Sequence, residues 1–248
     1  MPDKIAVKKS GRNPTLPTIV FLHDSLGCIE LWRDFPEKLG TLSACNVISY
    51  DRRGYGKSHP FAEKQRSKGY MELEADVLIN LLDNWQLETA ILFGHSDGGS
   101  IALIAAGKYP DRISAVITEG AHIFVEDITI RGIRKAIELY KTSGLKSKLT
   151  KYHGDKTDEL FWAWASTWTK DEFRSWNIES FLPSISCPCL IIQGENDEYG
   201  SIDQVEGIIR GTLGYAEKFL IPNVKHTPHK EVPDLILSKS KKFLEGMD

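Results

Sequence analysis

Short apolar runs rich in β-branched residues recur along the chain: TIVFLHD at 18–24, NVISYD at 46–51, TAILFGH at 89–95, SAVITEG at 114–120, CLIIQGEND at 189–197 and EKFLIPN at 217–223. They lack polar alternation, as expected of parallel strands covered on both faces. Between several of them lie segments with apolar residues three and four apart, MELEADVLINLLDNW at 71–85 and GSIALIAAGKY at 99–109, with Pro110 marking the stop of the second. Repeated strand-then-helix patterning predicts an α/β fold built on a doubly wound, mostly parallel sheet. At 248 residues, 41% hydrophobic, the chain can bury a sizeable core.

The alternation stops between His122 and Pro183. This stretch offers no convincing strand, carries helical spacing in IRGIRKAIELYK and DELFWAWASTWT, and holds Trp162, Trp164, Trp168 and Trp176, four of the six tryptophans. We therefore expect a core of residues 1–121 and 184–248, with 122–183 inserted as a helical cap. The closing VPDLILSKSKKFLEG reads as an amphipathic helix with lysines on its outer face.

Composition excludes several classes of function. A formal net charge of -3, with acidic and basic residues mixed, supplies no basic stripe for nucleic acid. The polar start MPDKIAVKKSGRNPTLP is no signal peptide, no apolar run is long enough to span a bilayer, and the Pro in Asn13-Pro-Thr blocks N-glycosylation. A cytoplasmic protein without membrane partners is the expectation. Four cysteines are too few for a disulfide framework, and Cys187-Pro-Cys189 lacks zinc-ligand spacing, so all four are expected as buried free thiols and no metal is expected. In DRRGYGKSH a P-loop would need glycine where Asp51 stands, and a dinucleotide fingerprint would need it where His59 stands. Nucleotide cofactors are thereby disfavoured.

One boundary carries chemistry. In AILFGHSDGGSIAL, residues 90–103, an apolar strand pattern ends at Ser96 between Gly94 and Gly98, and a helix pattern follows. A strand-to-helix turn this sharp strains its central residue and brings flanking backbones too close for a Cβ. The serine is then held out at the carboxyl end of a parallel strand, where open sheets place ligands, beside the N–H groups of a helix start. A serine hydroxyl needs an imidazole to take its proton and a carboxylate to orient that imidazole. Downstream, Glu195, Asp197, Glu198 and Asp203 follow one strand, and His226 and His229 follow the next.

At this point the chain resembles the α/β-hydrolase fold family over nearly its whole length. The resemblance rests on FLHDSLG, similar to the family's His-Gly oxyanion loop, and on YDRRGYGKS, GHSDGGS, GENDEYG and KHTPHKEVPD in the family's order. It implies Ser96 as nucleophile, Asp197 as acid and His226 as base, with the N–H groups of Ser25 and Asp97 as oxyanion donors and no cofactor. The Asp97 carboxylate would cap the helix, and Asp51 with Arg53 would serve as a turn pair. Asp24 departs from the pattern, because glycine is expected there; a turn role and a substrate-facing role are both open. Asp24, Glu119, His122, Trp162 and Trp164 are the candidate substrate contacts around an apolar or aromatic small molecule; a hydrogen-bonding role joining insertion to core is equally open for Glu119 and His122, and plain packing for the tryptophans. The expected reaction is hydrolysis of a small carboxylic ester, thioester or lactone. The alternatives are C–C hydrolysis of ring-cleavage products on the same triad, and a receptor-like binding protein with slow residual hydrolysis.

Overall fold

The computed structural model describes residues 4–62 and 66–247. Among them one sheet contains β1 (Val7–Ser10), β2 (Thr18–Leu22), β3 (Asn46–Tyr50), β4 (Ala90–His95), β5 (Ile113–Glu119), β6 (Cys189–Gly194) and β7 (Ala216–Ile221), in the order β1-β3-β2-β4-β5-β6-β7. Only the β1–β3 pairing is antiparallel. The helices are α1 (Phe35–Leu42), α2 (Tyr70–Asn84), α3 (Asp97–Lys108), α4 (Asp127–Thr142), α5 (Leu145–His153), α6 (Thr157–Thr169), α7 (Ile202–Gly211), α8 (Pro228–Glu231) and α9 (Pro233–Glu245).

The period of two along each strand explains why the central runs are apolar throughout. In β2, Val20 and Leu22 enter one apolar cluster with residues of α2 and α3, while Ile19 and Phe21 enter a second with residues of α1 and α9. β4, β5 and β6 divide in the same way: Leu92, Val116 and Ile191 go to the first cluster, and Phe93, Ile117 and Ile192 to the second. Each such side chain, fully buried, contributes about 1.5–3 kcal/mol of transfer free energy. Phe21 is further fixed by Phe93, stacked at 5.0 Å, and by the edge of Trp32 at 5.3 Å.

Sheet order places the site. The chain leaves β2 for β3 on one side and returns to β4 on the other, so the loops after β2 and β4 open the crevice at a topological switch point. Leu22 pairs with Gly94 at the end of that ladder, which brings the segments beginning at His23 and His95 side by side.

The expected helical segment between β5 and β6 contains α4, α5, α6 and short 3-10 turns; its one strand-like contact is a bridge between Phe124 and Asn177. Beyond α1, α7 and α8, for which no helical segment was named from the sequence, β1 and α5 were not anticipated. β1 is an exposed, lysine-bearing edge strand with no apolar signature, and α5 has only Leu149 and His153 buried. All four thiols are free, but against expectation Cys45, in the turn between α1 and β3, is only half-buried. No helix among the described residues is long and apolar enough to cross a membrane.

Candidate active site

Ser96 sits between β4 and α3 with φ 54° and ψ -120°, a left-handed backbone that a serine adopts only under constraint. The constraint comes from both neighbours. A Cβ on Gly94 would lie 2.3 Å from the Gly98 carbonyl oxygen, and one on Gly98 would lie 2.1 Å from the Leu22 carbonyl oxygen. The Ser96 N–H is tied to the Glu119 carbonyl at 2.8 Å, and the Ser96 carbonyl accepts from Gly99 and Ser100 in the first turn of α3.

Asp197 follows β6 and is buried at 6% exposure. Its Oδ1 accepts from the N–H groups of Tyr199 at 2.8 Å and Gly200 at 3.3 Å. His226, in the loop after β7, has Nδ1 at 2.9 and 2.8 Å from the two Asp197 oxygens. Burial works against charge on both groups, but their mutual attraction prevails: the Asp197 carboxyl is held below its usual range and the His226 imidazole above 6.5. With Nδ1 committed to Asp197, Nε2 is the ring nitrogen left for the cavity. Ser96, Ser25, Asp97 and His226 all line that cavity, of about 240 Å³. Among the described residues, the backbone N–H groups of Ser25 and Asp97 donate to no protein acceptor. Such groups, inside protein, are open to an oxygen of a bound molecule.

The Asp97 side chain does not cap α3. It is 1% exposed, accepts from the Tyr70 hydroxyl at 2.8 Å and lies 3.9 and 3.8 Å from the Arg52 and Arg66 guanidinium groups. Asp51 and Arg53 brace loops: Asp51 accepts from the N–H groups of Ile29 and Lys57, both at 2.7 Å, and Arg53 Nε donates to the Pro60 carbonyl at 2.9 Å.

Of the candidate substrate contacts, Asp24, His122 and Trp164 line the cavity. Glu119 and Trp162 do not. Glu119 is fully buried and lies 2.5 Å from His229 Nδ1, on the side of the sheet where Trp32 packs against that histidine, rings tilted by 38° with centroids 4.5 Å apart. Burial raises the Glu119 carboxyl to about 7 and lowers His229 to about 3. Trp162 faces a separate groove with Asp158, Glu159 and Lys170. Thr129, Ile133, Trp168 and Tyr199 also line the cavity and were not singled out from the sequence as contacts. The four-residue spacings of Thr129 with Ile133 and of Trp164 with Trp168 put each pair on one helix face, a signal that was available.

Asp24 presents a carboxylate where the family pattern expects glycine. Burial opposes its charge, yet His95 and Lys230 nearby pull its pKa down to about 2, and one oxygen, Oδ1, is buried without a hydrogen-bond partner. No lysine or arginine lines the cavity among the described residues, whereas the acidic residues Asp24 and Glu198 do; the Asp97 carboxylate is turned into its cluster with Tyr70, Arg52 and Arg66. No cluster of metal-ligating side chains occurs among the described residues.

Comparison with known proteins agrees with this architecture. A family model described as the alpha/beta hydrolase fold matches residues 17–137. Serine hydrolase BPHL of Homo sapiens is 29% identical over 224 residues, spanning 86% of this chain and 74% of that protein. The 2-hydroxy-6-oxononadienedioate/2-hydroxy-6-oxononatrienedioate hydrolase of Escherichia coli is 25% identical over 227 residues, spanning 79% and 76%. A crystal structure of an alpha/beta hydrolase enzyme from a Medee basin deep-sea metagenome library superposes with a TM-score of 0.77 at 22% identity, covering 99% of this chain and 95% of the other. With the switch-point crevice, the strained serine turn and these matches together, the chain belongs to the α/β-hydrolase fold family.

Proposed function

We propose that the protein is a serine hydrolase acting on small carboxylic esters, thioesters or lactones, with residues 122–183 serving as a cap over the site. The observation that carries this reading is the shared cavity of Ser96, two unengaged backbone N–H groups and an imidazole whose far nitrogen is bound to Asp197. Ser96 Oγ attacks the carbonyl carbon while His226 Nε2 takes its proton, and the N–H groups of Ser25 and Asp97 receive the oxyanion. His226 then protonates the leaving oxygen or sulfur as its bond to carbon breaks. Water repeats the sequence in reverse roles and releases the acid.

The reading makes a pH prediction. As a base His226 must be neutral, and its pKa lies above 6.5, so kcat/KM for a p-nitrophenyl ester should rise with pH on a limb centred above 6.5. Asp197→Asn should move that limb downward and lower kcat about 10⁴-fold. The same raised pKa gives a stability contribution of opposite sense, fully present below pH 6.5 and lost as pH rises through the folded-state value. A kcat/KM limb unmoved by Asp197→Asn would count against His226 as the base.

The relative named as a 2-hydroxy-6-oxononadienedioate/2-hydroxy-6-oxononatrienedioate hydrolase keeps a second reading in view, C–C cleavage of a ring-fission product. Cavity charge separates the two. An anionic dienoate would meet Asp24 and Glu198 with no cationic side chain among the described lining residues, whereas an uncharged ester meets no such repulsion. We expect kcat/KM for neutral p-nitrophenyl butyrate to exceed that for its mono-succinate analogue by at least about tenfold, one tenfold step being 1.4 kcal/mol of discrimination. Preferential turnover of the anionic ester or of a dienoate would favour the second reading.

A further inference from the structure

Arg52 is 1% exposed, and its Nε and Nη1 find no hydrogen-bond partner. A buried guanidinium with two nitrogens outside any hydrogen bond is costly to desolvate, and an apolar side chain of similar volume would avoid that cost. Its remaining donors converge on one short segment. Nη2 donates to the His23 carbonyl at 3.2 Å and to the Asp24 carbonyl at 2.9 Å, and the Arg52 backbone N–H donates to His23 Nε2 at 3.0 Å. That last bond sets the histidine tautomer. Burial, together with the Arg52 charge, keeps the His23 ring neutral, and with Nε2 accepting, the proton resides on Nδ1, which donates to the same Asp24 carbonyl at 2.8 Å. Gly27 N–H adds a third donor at 3.3 Å.

The Asp24 carbonyl and the Ser25 N–H belong to one peptide group, planar and trans, so they point in opposite directions. Three donors on the carbonyl therefore fix the direction of the N–H and polarise it as a donor. Arg52 also reaches the other half of the site, its Nη1 lying 3.9 Å from the carboxylate of Asp97, and it rests on the Tyr55 ring at 4.6 Å. We propose that Arg52 is a positioning residue that, directly and through His23, locks the Asp24–Ser25 peptide so that the Ser25 N–H is aimed at the reacting oxygen, and braces it against the Asp97 turn. The inference rests on the reading of Ser25 as an oxyanion donor.

The test compares Arg52→Met and Arg52→Lys with the unsubstituted enzyme, with kcat expressed per serine titrated by a fluorophosphonate. An aimed donor acts on the transition state, so Arg52→Met should lower kcat roughly 10- to 100-fold with KM within about twofold. Affinity for a short alkyl boronic acid, whose tetrahedral adduct places an oxygen in the same position, should weaken by the same factor. Arg52→Lys keeps the charge, but one ammonium cannot reach the two carbonyls and also lie beside Asp97 and over the Tyr55 ring as the guanidinium does, and it should recover only part of the loss. If Arg52→Met unfolds, the Lys variant carries the comparison alone, and wild-type kcat and boronate affinity in it would overturn the proposal. A uniform change in KM and kcat without weaker boronate binding would also overturn it. Loss of turnover in Ser96→Ala tests the hydrolase reading separately, so the two can fail independently.

Discussion

Replacing Ser96 with alanine is expected to lower kcat for p-nitrophenyl esters on the order of 10⁵- to 10⁶-fold while leaving the fold intact. Loss of Oγ removes covalent catalysis outright. What would remain is the proposed oxyanion pair and substrate binding in the cavity, which should retain a residual acceleration over water of about 10³- to 10⁴-fold. Stability should change little, because no hydrogen bond to Ser96 Oγ is needed for the turn: the backbone is held by Glu119 and by the first turn of α3. Relief of the positive φ is not expected either, since alanine at that position suffers the same strain. Rates within tenfold of the unsubstituted enzyme would remove Ser96 from the chemistry.

Gly98→Ala is the second large effect, and it acts through packing. The added methyl would sit 2.1 Å from the Leu22 carbonyl oxygen, 2.5 Å from the Leu22 carbonyl carbon and 2.8 Å from the His23 carbonyl oxygen. All three are backbone atoms of β2 or the loop after it, so no side chain can rotate away. Either α3 shifts from the sheet or the loop bearing Ser25 does. Such overpacking costs about 1–3 kcal/mol or more, and a displacement near 1 Å at reacting groups costs about 10²-fold in rate. A lower urea midpoint together with a kcat loss of that size is the expected outcome. Gly144→Ala is the control, because nothing lies within 4 Å of the methyl it would add.

How far the sequence disclosed this molecule depended on whether a residue's neighbours were local. The runs at β2, β4, β5 and β6 were legible because both faces of the central sheet are covered, leaving no polar interruption. β1 was not, since it pairs through backbone alone on an exposed edge. Ser96 was marked by glycines two residues away, which report steric crowding directly. Glu119, just after a strand, and Trp162, one of the insertion's aromatics, were expected among the substrate contacts, yet direction decides. Glu119 shares the parity of Ala115 and Ile117 and so faces the opposite side of the sheet, toward His229. Trp162 lies two residues before Trp164, roughly 200° around α6, and so turns outward. The Asp97, Tyr70, Arg52 and Arg66 cluster joins separate loops and helices, and nothing local announced it.

The central claim is that Ser96 is an activated nucleophile in reach of His226. A fluorophosphonate probe followed by peptide mapping tests it directly. The account predicts one adduct per chain, on the peptide carrying Ser96, with labelling suppressed in His226→Ala. A folded protein that takes up no label, or takes it up at another residue, would contradict it.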